Sequence, residues 1–393
     1  MRTLKAKVSA LATGVFLALV SLGMNAAPVK AAEAEEPQQE ARQPEQQPAP
    51  QTPAKAAAQP AQTGQSRVTI GVSVGTIREE RWQRDVEMFK EYGKTHGITV
   101  VVEVSDDDPE RQIRQCKSLI ADKVDVLVLA PADSGKMKPV IEEAHKRGIK
   151  VIAYDRLIMN TALDYYVTFD TLKVGTIQAR TILDVAPKGR YIVMRGAPED
   201  NNSFILAQGQ NAELAPYIES NAVKVVFDQW VPTWSPKAAE GLAKMALLAA
   251  NNNVQGIVAS NDGTAGGIIN ALAAVALAGK VPISGQDADL TACQRIVAGT
   301  QTSTVYKPLA TLNRAAMDLA TAIARGRDPK TALDQAHGVW TKMDNNTTMV
   351  ESFSVDVVPI TRENLVEIII KRDAFHSLED VFKNLPKEKW PKL

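Results

Sequence analysis

The runs VDVLVLAP (124–131), IKVIAYDR (149–156), GIVASND (256–262) and VPISGQD (281–287) decide the fold. Each fills a short stretch with β-branched and aliphatic residues, then turns abruptly to charged or amide side chains. Near-continuous apolar runs of this length are strands buried on both faces, the signature of a parallel α/β sheet. In open sheets of that kind a ligand binds outside the carboxyl ends of the strands. Asp155, Arg156, Asn261, Asp262 and Asp287 fall at those ends.

Outward from these runs, the chain alternates strand and helix. RVTIGVSV (67–74) and ITVVVEV (98–104) read as strands, separated by the helical stretch 79–97, which ends at Gly97. A helix over 109–123 starts at Pro109, and another lies around 136–147. Strand DYYVTFD (164–170) leads into a helix over 171–185. The pattern then restarts with strands at 190–196, 223–229, 255–260 and 281–284, and helices at 203–219, 235–251 and 263–278. STVYK (303–307) precedes a helix over 308–326, and MVESFSVDVV (349–358) is a closing strand able to join either half. Two such series predict two similar doubly wound parallel-sheet lobes joined by a hinge. The expected first lobe is 67–169 with about 307–340, the second is 170–306 with about 341–375, and 376–393 is a tail.

At 393 residues the chain has room for two lobes and appendages. Lys+Arg and Asp+Glu both number 45, so no basic surplus supports a nucleic-acid partner. Residues 1–32 read as an export signal: Arg2, Lys5 and Lys7 precede the apolar VSALATGVFLALVSLG (8–23), and small residues follow. The expected location of the mature chain is the periplasm. Residues 33–66, rich in Pro, Gln, Ala and Glu, lack the apolar surface to offset ordering entropy and are expected to form a tether. Cys116 and Cys293 exclude a disulfide-rich scaffold. A bridge between them would staple the lobes, so both are expected as buried free thiols.

Several chemistries are disfavoured. GVSVG (71–75) matches the nucleophile-elbow string, but Ser73 sits inside an alternating strand and His96, His145, His337 and His376 offer no convincing base. The first strand–helix turn, GTIREER (75–81), lacks the glycines of a dinucleotide site, and no phosphate-binding loop occurs. SDDDPER (105–111) lacks the alternate-position oxygens of a calcium loop and reads as helix capping. No catalytic residue, metal or cofactor is therefore expected.

Sugar chemistry fits better. Buried hydroxyls need planar, multivalent partners, while an aromatic ring covers the faintly apolar face of a pyranose. The strand ends and nearby loops supply Arg81, Trp82, Asp155, Arg156, Asp200, Asn202, Trp234, Asn261, Asp287 and Lys307. Asp and Asn at such places also serve as helix caps, and Asp262 is assigned to that role alone.

All of these sugar-binding candidates but Trp234 lie in ERWQRD (80–85), GIKVIAYDRLI (148–158), PEDNN (198–202), VASNDGTAGG (258–267), SGQDADL (284–290) and AGTQTSTVYKPL (298–309), and KVVFDQWV (224–231) ends three residues before Trp234. In them the chain resembles the periplasmic sugar-binding proteins of ABC transporters, of the ribose/galactose type. The resemblance runs over roughly 67–330. It implies the type I periplasmic binding fold, a monosaccharide ligand (D-xylose or a similar aldopyranose), an ABC import permease as partner, and a monomer. It also implies that the polar residues above bind hydroxyls, with Trp82 and Trp234 over the two ring faces. The family's acidic pair is replaced by Gly75–Thr76, Arg195 stands where a small residue is usual, and the tail past about 330 diverges. The implied mechanism is capture by closure, without chemistry on the sugar. A sensing output through a membrane receptor is the alternative. A repressor would need a DNA-binding segment where the export signal lies.

Overall fold

The computed structural model of the chain describes residues 67–333, 335 and 337–392. The expected export signal and tether lie outside the described residues.

In the first lobe, β1 (Thr69–Val74), β2 (Thr99–Val104), β3 (Val126–Ala130), β4 (Lys150–Tyr154) and β5 (Tyr165–Phe169) run parallel in the order β2-β1-β3-β4-β5. They are joined by α1 (Glu80–His96), α2 (Pro109–Ala121) and α3 (Lys138–Lys146). Successive strand residues point to opposite faces. Val126 and Val128 pack with Ile70, Val72 and Phe89 on the α1 side, while Leu127 and Leu129 pack with Cys116, Leu119 and Ile141 on the other. Both faces are dry, which is why the run 124–131 contains no polar alternation.

The second lobe contains α4 (Thr171–Leu183), β6 (Gly189–Arg195), α5 (Asn201–Glu219), β7 (Val223–Trp230), α6 (Pro236–Ala249), β8 (Gly256–Ala259), α7 (Asp262–Ala274), α8 (Leu290–Ala298) and β9 (Ser303–Tyr306). The sheet order is β7-β6-β8, all parallel. The expected strand 281–284 is reduced to a parallel bridge between Ile283 and Ile257. It still continues the sheet, because the Thr302 N–H donates to the Ile283 carbonyl at 3.0 Å. Gly175 of α4 and Gly209 of α5 let these helices touch: a Cβ on either would overlap a carbonyl oxygen of the other helix, Leu206 or Leu172.

The chain then crosses back. α9 (Leu309–Ala324) packs with the β1–β5 sheet, and the hairpin of β10 (Gly338–Asp344) and β11 (Met349–Val355) extends that sheet, with β11 parallel to β5. The expected assignment of 341–375 to the second lobe is thus corrected for 341–355, and the third crossing falls at 355–358. Val350, Phe353 and Val355 are buried on the first sheet. β12 (Val358–Thr361) pairs antiparallel with β9 in the second lobe. The expected tail is not separate either: α10 (Leu378–Phe382) buries Val381 and Phe382 against Cys293 and Ile296 of α8. Three crossings, at 169–171, 306–309 and 355–358, form the hinge. The first and third are tied together by the Asp170 N–H donating to the Val355 carbonyl at 3.0 Å.

Cys116 and Cys293 are buried and unbridged, one in each lobe, as the sequence suggests. Ser73 is buried inside β1, where its Oγ accepts from Gln112 Nε2 at 3.1 Å, so it stands on no turn. Among the described residues, no helix is long and apolar enough to cross a membrane.

Candidate functional site

The carboxyl ends of both sheets face one cleft, which encloses about 470 Å³ of empty space, part of it continuous with solvent. All ten residues assigned to sugar binding from the sequence line it, from Arg81 and Trp82 to Asp287 and Lys307.

The first-lobe wall is organised around Arg81. Its place in the first turn of α1 puts it one turn from Asp85 and opposite the end of β4. Nη1 donates to Asp155 Oδ1 at 2.6 Å and Nη2 to Asp85 Oδ2 at 3.1 Å. Asp85 also accepts from the Tyr154 hydroxyl at 2.6 Å. Asp155 itself sits at φ 61°, in the left-handed region. Any residue with a Cβ meets a cost there, smaller for Asp than for most, and the conformation persists because its surroundings over-determine it. The Asp155 N–H donates to the Val167 carbonyl, and its own carbonyl accepts from Tyr166 Oη at 2.6 Å, Thr168 Oγ1 at 3.1 Å and Asn202 Nδ2 at 2.9 Å.

The second-lobe wall uses helix starts. Asp200 caps α5, accepting from the Asn202 N–H at 2.9 Å, and its other oxygen accepts from Trp234 Nε1 at 3.2 Å. Asn261 caps α7 in a reciprocal pair with Thr264. Capping and lining are therefore the same act at these positions, not rival readings. Asp287 follows the bridge segment at φ 98°, its N–H bound to the Val305 carbonyl. The loop carrying Trp234 is also left-handed, at Thr233 (φ 52°) and Trp234 (φ 55°).

Charge is balanced locally. Arg81 pairs with Asp155; Arg156 Nε lies 2.9 Å from Asp200 Oδ2, across the cleft; Lys307 Nζ lies 2.7 Å from Asp287 Oδ1 and 3.9 Å from Asp155 Oδ1. Burial pushes the Asp155 carboxyl up, but Arg81 and Lys307 outweigh it and hold the group below its ordinary value. Burial wins at Asp200, which is raised despite Arg156. The guanidiniums of Arg81 and Arg156 lie over the Trp82 ring, 4.2 and 5.2 Å from its centre.

Hydrogen bonding among the side chains of the cleft is incomplete. Arg81 Nε, Arg156 Nε and Asp287 Oδ1 are buried without a hydrogen-bond partner, the two ion-pair contacts above being misaligned for one. Orphaned buried atoms are costly, and a cluster of them marks a place for a polar ligand.

Sequence reasoning missed Glu79, Phe169, Thr171, Val174 and Gln286, which also line the cleft. Phe169 ends β5 and obeys the strand-end rule already in use; Gln286 adjoins Asp287. Asp262 needs a correction. The cap of α7 is Asn261, while Asp262 is the first helical residue and lies buried behind the cleft, accepting from Gln301 Nε2 at 2.7 Å and Thr304 Oγ1 at 2.8 Å. Of the three aspartates at 106–108, only Asp108 caps α2; Asp106 pairs with Arg111 and Asp107 with Arg78. Arg195 is held within the second lobe by Asp228, Gln210 and Asn211.

Comparison with known proteins gives a consistent result. The periplasmic binding protein domain family matches residues 70–328. The D-xylose-binding periplasmic protein of Haemophilus influenzae (strain ATCC 51907 / DSM 11121 / KW20 / Rd) is 43% identical over 313 residues, covering 80% of this chain and 92% of the relative. The protein of the same description from Escherichia coli (strain K12) is 41% identical over 309 residues, covering 79% and 91%. A solved carbohydrate transporter solute binding protein from Chloroflexus aurantiacus, in complex with D-glucose, superposes with a TM-score of 0.72 at 29% identity, covering 80% of this chain and 98% of that one. The chain belongs to the periplasmic binding protein domain family.

Proposed function

We propose that this periplasmic binding protein captures a neutral aldopyranose, D-xylose first, between its two lobes and delivers it to the permease of an ABC importer. One observation carries the reading: Arg81 Nε has no partner, and Arg156 Nε and Asp287 Oδ1, although ion-paired, lack an aligned hydrogen bond, all three lining one cleft between the lobes. A hydroxyl is both donor and acceptor, so a polyol completes such a set. The relatives named D-xylose-binding periplasmic proteins support the choice of sugar, the periplasmic location and the transport role.

In this reading Arg81, Asp155, Arg156, Asp200, Asn202, Asn261, Asp287 and Lys307 hold the hydroxyls, while Trp82 and Trp234 cover the ring. Neutrality follows from the pairing of Arg81, Arg156 and Lys307 with carboxylates, which leaves no spare cation for an acidic sugar. Contacts from both lobes make the ligand favour the closed state by its differential affinity. The sugar leaves chemically unchanged.

A thermal-shift screen of pentoses and hexoses, followed by calorimetry, tests this. D-xylose should bind more tightly than D-glucose, whose extra hydroxymethyl meets the closed wall, and D-xylonate should not bind. Equal affinity for xylose and glucose would refute the pentose assignment, and tight binding of xylonate would refute the neutral one.

A further inference from the structure

Glu79 stands outside the set of residues read from the sequence. It precedes α1 and lines the cleft, yet its carboxylate makes no hydrogen bond to the helix start it adjoins. Its side chain is 11% exposed. Arg78 fixes it: Nε and Nη2 both donate to Glu79 Oε1, at 3.0 and 2.7 Å. Arg78 is itself held by Asp107 Oδ2 at 2.7 Å and, across the cleft, by the Thr233 carbonyl at 2.6 Å. One carboxylate oxygen is thus saturated. The other, Oε2, is buried and has no partner.

We propose that Glu79 is a further specificity-determining residue, its Oε2 accepting a hydrogen bond from one hydroxyl of the captured sugar. The inference rests on the sugar reading above and deepens it. An ionised carboxylate only accepts, so Oε2 needs an O–H or N–H donor. Among the described residues no group supplies one. With Glu79 included, the cleft atoms that lack an aligned hydrogen bond are two donors, Arg81 Nε and Arg156 Nε, and two acceptors, Asp287 Oδ1 and Glu79 Oε2, of which Arg156 and Asp287 are ion-paired. Hydroxyl groups satisfy both kinds at once. A ligand lacking the hydroxyl at this point leaves the carboxylate buried and unpaired, which is the strongest basis for rejecting a close analogue. A negatively charged substituent there is repelled.

The test is calorimetric titration of D-xylose and its 1-, 2-, 3- and 4-deoxy analogues into the wild type, Glu79→Leu and Glu79→Gln. Glu79→Leu should weaken D-xylose binding by about tenfold to a hundredfold, the range for a hydrogen bond to a charged group. Glu79→Gln, which keeps an acceptor oxygen, should lose less. One deoxy analogue should bind the wild type weakly but show no further loss in Glu79→Leu, which identifies the hydroxyl concerned. Unchanged xylose affinity in Glu79→Leu overturns the assignment. So does a loss of the same factor for xylose and every analogue, the mark of a variant that merely disturbs closure or folding. If the wild type binds no aldose, the sugar reading fails, and this assignment with it. Melting temperatures of the variants without sugar separate a folding defect from a binding one.

Discussion

Asp155 and Asp287 occupy left-handed backbone at the ends of their strands, at about 1–3 kcal/mol each. A glycine would adopt those angles more readily, so the side chain is what the positions retain. Asp287→Ala should leave Lys307 buried without its partner at 2.7 Å and reduce xylose affinity by about 2–5 kcal/mol, a loss of roughly thirtyfold or more. Near-unchanged binding by calorimetry would remove Asp287 from the site. Asp262 makes a different prediction. Burial, aided by Asp287 and opposed by Arg295, raises its carboxyl from an ordinary 3.8 to about 7. The folded state therefore favours the protonated acid. Its contribution to stability is fully present below pH 3.8 and is lost as pH rises through about 7. Carbon-13 NMR of the carboxyl should show a titration near neutrality; a midpoint near 4 would contradict the burial argument. The strand-end rule makes Asp155, Arg156, Asn261 and Asp287 legible because each directly follows an apolar run. Glu79 was not legible, since its significance lies in Arg78 occupying one of its two oxygens, which only coordinates reveal.

Among the elements, long periodic segments were the readable ones. α1 matches the helix expected over 79–97 to within a residue or so, fixed by its apolar stripe and by Gly97 at φ 65°. α8 received no bounds from the sequence, only Cys293 being read as helical: it is 9 residues long, and the Asp289 side chain makes no capping bond at its start. The alternation in MVESFSVDVV identified a strand, but period-two alternation specifies a face rather than a neighbour. Its partners β5 and β10 became known only from the fold. The α4–α5 contact is the sharpest test of packing at this scale. A methyl group at Gly175 meets the Leu206 carbonyl, which cannot rotate away. Gly175→Ala should cost about 1–3 kcal/mol or more, read from the denaturant midpoint. An unshifted midpoint would mean that the two helices separate freely.

Across the whole molecule, contacts away from the ligand cleft also hold the lobes together. Glu80 of α1 accepts from the Leu290 N–H at the start of α8, at 3.0 Å, and the Ser134 N–H donates to the Glu199 carbonyl at 2.9 Å. These bonds exist only when the lobes meet, so removing one penalises closure without touching the sugar. Glu80→Ala should weaken xylose binding by about tenfold or less, since Glu80 is partly exposed, and increase the dimensions measured by X-ray scattering in the absence of sugar. Equal affinity and equal dimensions would show that closure does not depend on this contact. The two-lobe plan was legible because the strand–helix series restarts near 190. The third crossing was not, because the closing strand suits either sheet edge. That crossing shapes how the chain comes to be folded. The first sheet receives β10 and β11, and β9 of the second lobe receives its partner β12, only from residues 338–361. A nascent chain that has emerged as far as α9 has an unfinished edge in both halves at once. Neither half has its full set of strands until residue 361 has been made, so the segment that follows α9 completes both at once.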